Sequence, residues 1–311
     1  MNNQYQKTAI DIVKQEWKCE IISCKYLGGG SFGRAFRIEL DREPRVVVVK
    51  IYLADGLCQN EAEDLRLLGE AGAIKVPEIY LVKSKNDGCI CDCICMEYIG
   101  GRDCLMLTPK YLFCPSKRRQ FVEDATDAVI ALHSHTSEKF GYARNPQFDS
   151  WQDFYRQYVD EIMLSAKKAY AKGKIQDRIL SIAEVAYRNF DKIFDEKVER
   201  ACLSHGDTNV MNMMADSKTL RLKAFIDPLN ALYCDPDYDL YQLGALSGEL
   251  LGMVKRYKQK CKVSDKCDLK VATYGIFCEL NCYVKTGRYT GFIMNKAIKN
   301  LKKQLKMHDL Y

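Results

Sequence analysis

The sequence predicts an α+β chain in two lobes: a small antiparallel β-rich lobe with one helix, then a large, mainly helical lobe. Three observations lead there. The chain has 311 residues, more than one compact core usually holds. Its first hundred residues read mainly as strands. After Gly100-Gly101 the apolar residues shift to helical spacing. The predicted boundary lies between Met96 and Gly101 and divides the chain into residues 1–97 and 98–311.

Two strands are expected over residues 20–27 and 34–39. Residues 45–52 hold Val46-Val47-Val48-Val49, a β-branched run that suits a buried strand. A helix is expected over residues 61–68. Pro77 then opens a strand over 78–84, and Asn86-Asp87-Gly88 supplies hairpin turn chemistry. The return strand is Cys89-Ile90-Cys91-Asp92-Cys93-Ile94-Cys95, whose alternation places all four thiols on one face. Beyond the boundary, Phe121, Val122, Ala125, Ala128, Val129 and Leu132 recur at helical spacing. Further helices are expected near 150–170, 176–194, 237–257, 268–285 and 294–307.

Hydrophobic residues at 47% and charged residues at 28% exclude a disordered, collagenous or coiled-coil chain. No apolar run approaches the ~20 residues that span a bilayer. The start, Met1-Asn2-Asn3-Gln4, lacks a signal-peptide pattern, so a cytoplasmic protein is expected. The 15 cysteines then read as reduced thiols acting as small hydrophobes. Their alternate spacing in the cysteine strand differs from the two-residue pairs of structural zinc sites. The formal charge is +6, but residues 241–311 carry 14 Lys/Arg and 5 Asp/Glu, or +9. The one candidate basic patch is Lys255-Arg256-Tyr257-Lys258-Gln259-Lys260, which reads more simply as a solvated helix face than as a nucleic-acid surface.

Three signals carry chemistry. Gly28-Gly29-Gly30-Ser31-Phe32-Gly33 holds glycines at G-x-G-x-x-G spacing. A dinucleotide fold uses the same spacing, but there the glycines open a helix. Here a strand follows, so the glycines make a hairpin whose backbone can approach phosphates. Lys50 ends the valine run, and a lysine in an apolar strand needs a partner or an anion. Glu61 is the expected partner and Glu63 the competing one. The strongest signal is Ser204-His205-Gly206-Asp207-Thr208-Asn209-Val210-Met211-Asn212, followed by Ala224-Phe225-Ile226-Asp227-Pro228. One carboxylate can accept a proton from an attacking hydroxyl. A carboxamide and a second carboxylate can offer hard oxygens to Mg²⁺ on nucleotide phosphates.

This order of motifs resembles the aminoglycoside phosphotransferase superfamily, over residues 26–240. That group has a protein-kinase-like fold and includes fructosamine, choline and sugar kinases. The resemblance implies ATP and Mg²⁺ as cofactors, with Asp207 as catalytic base and Asn212 and Asp227 as metal ligands. It implies that Gly28, Gly30, Ser31, Gly33, Lys50 and Glu61 serve the phosphates. The Glu97 carbonyl and Ile99 N–H would face adenine, and Asp239 would brace the catalytic loop. Asp227-Pro228-Leu229 in place of Asp-Phe-Gly, Gly206 in place of Arg and the lack of an Ala-Pro-Glu segment argue against a protein kinase. The expected partner is a small-molecule hydroxyl substrate, sugar-like or another small metabolite, for a monomer without nucleic-acid or membrane partners. Phosphorylation of an aminoglycoside and non-catalytic nucleotide binding stay open as alternatives. Asp149, Asp153, Asp160 and Glu161 fit either acceptor recognition or a solvated helix face. His133 is expected to be a hydrogen-bonded structural histidine, and His205 to hold the catalytic loop.

Overall fold

The computed structural model describes residues 2–30, 32–85, 90–228 and 230–311. The chain opens with helix α1 (Asn2–Trp17), then strands β1 (Ile21–Gly29), β2 (Gly33–Leu40) and β3 (Val46–Tyr52). Helix α2 (Leu57–Ala71) follows, with strands β4 (Ile79–Lys83) and β5 (Cys93–Glu97). The five strands form an antiparallel sheet in the order β1-β2-β3-β5-β4. In β3, Val47, Val49 and Ile51 face one side of the sheet and Val48 and Lys50 the other, because side chains alternate along a strand.

Helix α1 corrects the expectation of one helix in this lobe. Its Ala9, Ile12 and Val13 are buried against Phe36, Ile38, Leu40, Val47 and Val49. The stretch is polar at most positions, with apolar residues just dense enough for one buried stripe. Ile12 is 5% exposed, so Ile12→Ala should cost about 2–5 kcal/mol in a denaturant titration. A loss below ~1 kcal/mol would mark α1 as a loosely docked arm.

The cysteine strand is shorter than expected. It begins at Cys93, so Cys93 and Cys95 lie in the strand and are buried, while Cys91 precedes it and is only partly buried. Cys89 and the Asn86-Asp87-Gly88 turn lie outside the described residues. The helix expected over 61–68 runs further at both ends. It opens after Gly56, whose N–H donates to Asp92 Oδ2 at 2.6 Å, and closes at Gly72 in the left-handed conformation.

The larger part of the chain begins with β6 (Arg102–Asp103), α3 (Cys104–Phe113) and α4 (Pro115–His133). Short strands β7 (Thr136–Ser137) and β8 (Gly141–Tyr142) lead to α5 (Trp151–Ala171), α6 (Asp177–Arg188) and α7 (Phe190–Ile193). Strands β9 (Ala201–Ser204), β10 (Met213–Ala215), β11 (Leu222–Phe225) and β12 (Leu232–Cys234) follow. Helices α8 (Asp239–Gly244), α9 (Gly248–Leu251), α10 (Met253–Lys260), α11 (Cys267–Thr286) and α12 (Gly291–Met307) complete it. Two small sheets, β11-β10-β6 and β7-β9-β12-β8, matter most for function. Residues 205–212 sit between β9 and β10, and Asp227 follows β11. One apolar core joins α2 residues Ala62, Leu65 and Leu68 to Phe121, Val129, Leu203 and Phe225 of the larger part. A second core surrounds Trp151, Tyr155, Phe190 and Tyr274. Among the described residues, no helix is long and apolar enough to cross a membrane.

The basic segment on α10 is largely ion-paired. Arg256 donates to Glu123 at 2.7 and 2.9 Å, Lys258 to Asp268 at 2.5 Å and Lys260 to Asp127 at 2.5 Å. Acids of α4 and α11 thus neutralise much of the local positive charge.

Candidate active site

The β1–β2 hairpin brings the glycines to the edge of a cleft. Gly28, at φ 154°, follows an irregularity in the β1–β2 register. Gly29 is the position where no side chain fits: a Cβ there would lie 2.6 Å from the Gly33 carbonyl oxygen. Arg34 closes the loop from below, its Nη1 donating to the carbonyls of Gly30 at 2.6 Å and Gly33 at 2.8 Å. A Cβ on Gly33 would lie 3.0 Å from the Ile51 carbonyl oxygen and 3.4 Å from Lys50 Cε, so the loop enters β2 beside that lysine. Ser31 lies outside the described residues. Spacing alone drew attention to Gly28, Gly30 and Gly33; the steric need at Gly29 depends on the pairing across the hairpin.

Lys50 points from β3 into this cleft. Its Nζ donates to Glu61 Oε1 at 2.8 Å and Oε2 at 2.7 Å, and also to Asp227 Oδ1. Burial pulls the ammonium towards neutrality, but Glu61 and Asp227 outweigh it and hold its pKa above the usual lysine value. Glu63 is exposed and turns towards Arg144 instead. Along the hinge, the Glu97 side chain accepts from Lys75 and from the Glu78 N–H, and Ile99 is buried.

The segment after β9 is tied down from beneath. Ser204 Oγ donates to Asp239 Oδ1 at 2.6 Å and accepts from the Gly206 N–H at 3.0 Å. Asp239 is fully buried, and its Oδ2 lies 3.1 Å from His133 Nε2, while His133 Nδ1 lies 2.7 Å from the Tyr257 hydroxyl. His205 does not hold the loop by hydrogen bonds. Among the described residues neither of its ring nitrogens has a hydrogen-bond partner, and its ring packs edge-on to Phe225 at 5.6 Å. Burial lowers its pKa to about 4, so it is neutral at pH 7. The residue that takes over this bracing is Ser204, which opens the motif but was given no role from sequence.

Above these braces, Asp207 receives two amides. Asn209 Nδ2 donates to Oδ1 at 2.5 Å, and Asn212 Nδ2 donates to Oδ2 at 2.8 Å. Burial raises the Asp207 pKa to about 7, with Asp227 adding to the shift and the two amides opposing it. Because Asn212 binds Asp207 through its NH₂ group, its amide oxygen remains available to a hard cation. Asp227 is 54% exposed at its side chain and sits at φ 58°, a left-handed conformation. The Ile226 N–H donates to the Asn212 carbonyl at 2.9 Å, which joins the two segments. A carboxylate and a carboxamide oxygen facing one cleft suit Mg²⁺, which takes few protein ligands and completes its shell with water and phosphate.

A cleft opens beside Gly206. Tyr142, Phe154 and Tyr158 form much of its wall, and Asn230, Asn281 and Lys285 supply polar groups. Lys285 is the one formally charged side chain among its described lining residues. Three of the four acids considered from sequence are engaged elsewhere. Asp149 pairs with Lys139, Asp153 accepts from the Ser150 hydroxyl at 2.6 Å, and Asp160 accepts from the Tyr187 hydroxyl at 2.7 Å. Burial raises the pKa values of the Tyr142 and Tyr158 hydroxyls in the cleft wall, and the fourth acid, Glu161, adds to the rise.

Known proteins share this architecture. The chain is 22% identical over 265 residues to the uncharacterized protein YcbJ of Escherichia coli (strain K12), covering 83% of this chain and 85% of that one. A thermostable mutant of aminoglycoside phosphotransferase APH(4)-Ia, in ternary complex with ADP and hygromycin B, superposes with a TM-score of 0.70. It is 15% identical, over 96% of this chain and 98% of that one. A protein of Haemophilus somnus 129PT described as a fructosamine-3-kinase also gives 0.70, at 16% identity over 96% and 97% of the two chains. At these identities the likeness establishes the two-lobe, protein-kinase-like fold. The model of the phosphotransferase enzyme family matches residues 23–259, most of the chain, and the protein belongs to that family.

Proposed function

We propose that this phosphotransferase moves the γ-phosphate of ATP, with Mg²⁺, to a hydroxyl group of a small neutral or anionic molecule. The observation that carries the reading is the placement of Asp207. Its carboxylate is held by two amide donors next to Gly206, which lines the aromatic cleft. An acceptor hydroxyl in that cleft would lose its proton to Asp207 as it attacks. With a pKa of about 7, the carboxylate is basic enough to take the proton and still largely ionised above neutrality.

The other roles follow from position. Lys50, oriented by Glu61, binds phosphate oxygens, and the β1–β2 hairpin offers backbone N–H groups above them. Asn212 and Asp227 would hold Mg²⁺, which when bound would supply positive charge against the negative charge of the phosphates. The Glu97 carbonyl and Ile99 N–H serve the adenine edge. Residues 1–97 supply most of the nucleotide site and 98–311 the base and the acceptor cleft. We place the protein in the cytoplasm, as a monomer.

The substrate class is read from cleft charge. A polycationic acceptor needs facing carboxylates, and the described lining residues offer one lysine and no carboxylate. Stacking on tyrosine and phenylalanine suits the apolar face of a sugar or polyol, and Lys285 suits an anionic substituent. A nucleotide-consumption screen over sugars, sugar acids, glycated amines, amino alcohols and aminoglycosides should find its best acceptor among neutral or anionic compounds. Phosphorylation of a polycationic aminoglycoside at micromolar KM, with no better neutral or anionic acceptor, would overturn the substrate class. Relatives with bound GDP exist among the aminoglycoside enzymes, so the screen is run with ATP and GTP in parallel.

A further inference from the structure

Asp64 and Arg144 form an ion pair that the roles above do not use. Arg144 Nη1 donates to Asp64 Oδ1 at 2.7 Å, with the two side chains 14% and 1% exposed. Arg144 Nη2 donates to Asn230 Oδ1 at 3.3 Å, and the Ala231 N–H donates to Asp64 Oδ2 at 3.1 Å. We propose that this pair is a clamp that positions Asp227 for metal binding and Asn230 for the acceptor, so that α2 sets both halves of the site. This rests on the phosphotransfer reading given above.

Both anchors lie on one helix. Glu61 and Asp64 are three residues apart on α2, close to one turn, and so project to neighbouring positions on one side. Glu61 holds Lys50, which reaches Asp227. Asp64 holds the Ala231 N–H and Arg144, which reaches Asn230. Asp227 on one side and Asn230 and Ala231 on the other are therefore each tied to α2. Asp227 at φ 58° and Asn230 at φ 51° both occupy the left-handed conformation, which aspartate and asparagine accept more readily than most side chains and which the ties hold in place.

Arg144 is itself fixed. It follows β8, which pairs with β12, and the neighbouring Ala143 N–H donates to the Ala231 carbonyl at 2.7 Å. Its guanidinium lies 5.6 Å from the centre of the Tyr142 ring, in the cleft wall. Arginine only donates, so its contact with Asn230 uses the amide oxygen and leaves the NH₂ group to the cleft that Asn230 lines. A buried charge pair is a poor stabiliser compared with apolar packing of the same volume. Its fixed fork geometry instead suits the holding of a register between segments 80 and 86 residues apart in sequence.

The test needs no acceptor. Affinity of the full chain for AMP-PNP is measured by calorimetry with and without Mg²⁺, for wild type, Arg144→Met and Arg144→Lys. The Met variant should lose about tenfold of the affinity gained on adding Mg²⁺, a common size for coupling between sites, and stay within about twofold without metal. The Lys variant, which keeps the charge but not the fork, should fall between. If the Met variant does not fold, an Mg²⁺ gain in the Lys variant equal to wild type overturns the clamp. So does an unchanged gain in a folded Met variant, or an equal loss with and without metal, which marks mere loosening. A wild-type protein with no Mg²⁺ gain sinks the phosphotransfer reading first and takes the clamp with it.

Discussion

Replacing Asp207 with alanine is expected to lower turnover by about 10²–10⁴, the usual worth of a positioned base, and to change nucleotide affinity by only a few fold. The side-chain groups hydrogen-bonded to this carboxylate are amide NH₂ groups, which cannot accept a proton. His205 is no substitute, being fully buried and neutral. The pH dependence tests the same role. Burial, reinforced by Asp227, raises the Asp207 pKa to about 7 in the free enzyme. A base works only when deprotonated, so kcat/KM should climb with pH and level off above about 7. Cations in the nucleotide complex favour the ionised carboxylate, so the corresponding limb in kcat should lie at lower pH. Near wild-type turnover in the alanine variant would remove Asp207 from this role, as would an acidic limb that persists unchanged in the variant's residual activity.

What could be read in the sequence was what is local in sequence. Asp207 and Asn212 lie five residues apart in one loop, and their side chains meet. The glycine hairpin and Lys50 lie on adjacent paired strands, so alternation alone places Lys50 on the cleft face. Helix α1 was legible only in principle, through Tyr5, Ala9, Ile12 and Val13, because the polar residues between them dilute the pattern. The rest depends on contacts that no spacing encodes. Asp64 and Arg144 stand on separate elements, and only the folded chain shows that Asp64 is not a solvated helix residue beside Glu63. The aromatic residues of α5 posed the same problem. Trp151 and Tyr155 are almost fully buried, with the Trp151 indole donating to Tyr274 at 2.8 Å, whereas Tyr158 is partly exposed with its hydroxyl bonded by Asn281 at 2.6 Å. Helical periodicity puts all three near one face, and all three line the cleft, but it does not say which of them stays open to solvent.

Replacing Asp227 with alanine is expected to abolish the part of nucleotide stabilisation that depends on Mg²⁺ while the protein stays folded. Its side chain is more than half exposed, so its removal opens no cavity. Lys50 keeps both contacts to Glu61, so no buried ammonium is stranded. Backbone strain is the complication, because Asp227 sits at φ 58° and alanine accepts that conformation less readily. Asp227→Asn is therefore the paired variant: asparagine tolerates the left-handed region, keeps an oxygen and removes only the charge. Bound ligand stabilises the native state by mass action, about 2.7 kcal/mol at a hundredfold excess over Kd, so melting temperature reads affinity directly. In the wild type, adding Mg²⁺ at fixed ATP should raise the melting temperature further. In Asp227→Ala the curves with and without Mg²⁺ should coincide at the metal-free level, with Asp227→Asn close to it, and turnover should fall with them. Coincidence only in the alanine variant would trace the loss to the backbone. A full Mg²⁺ increment in both variants would place the metal on other residues, because Asn212 alone offers one neutral oxygen where Mg²⁺ ordinarily takes at least one carboxylate.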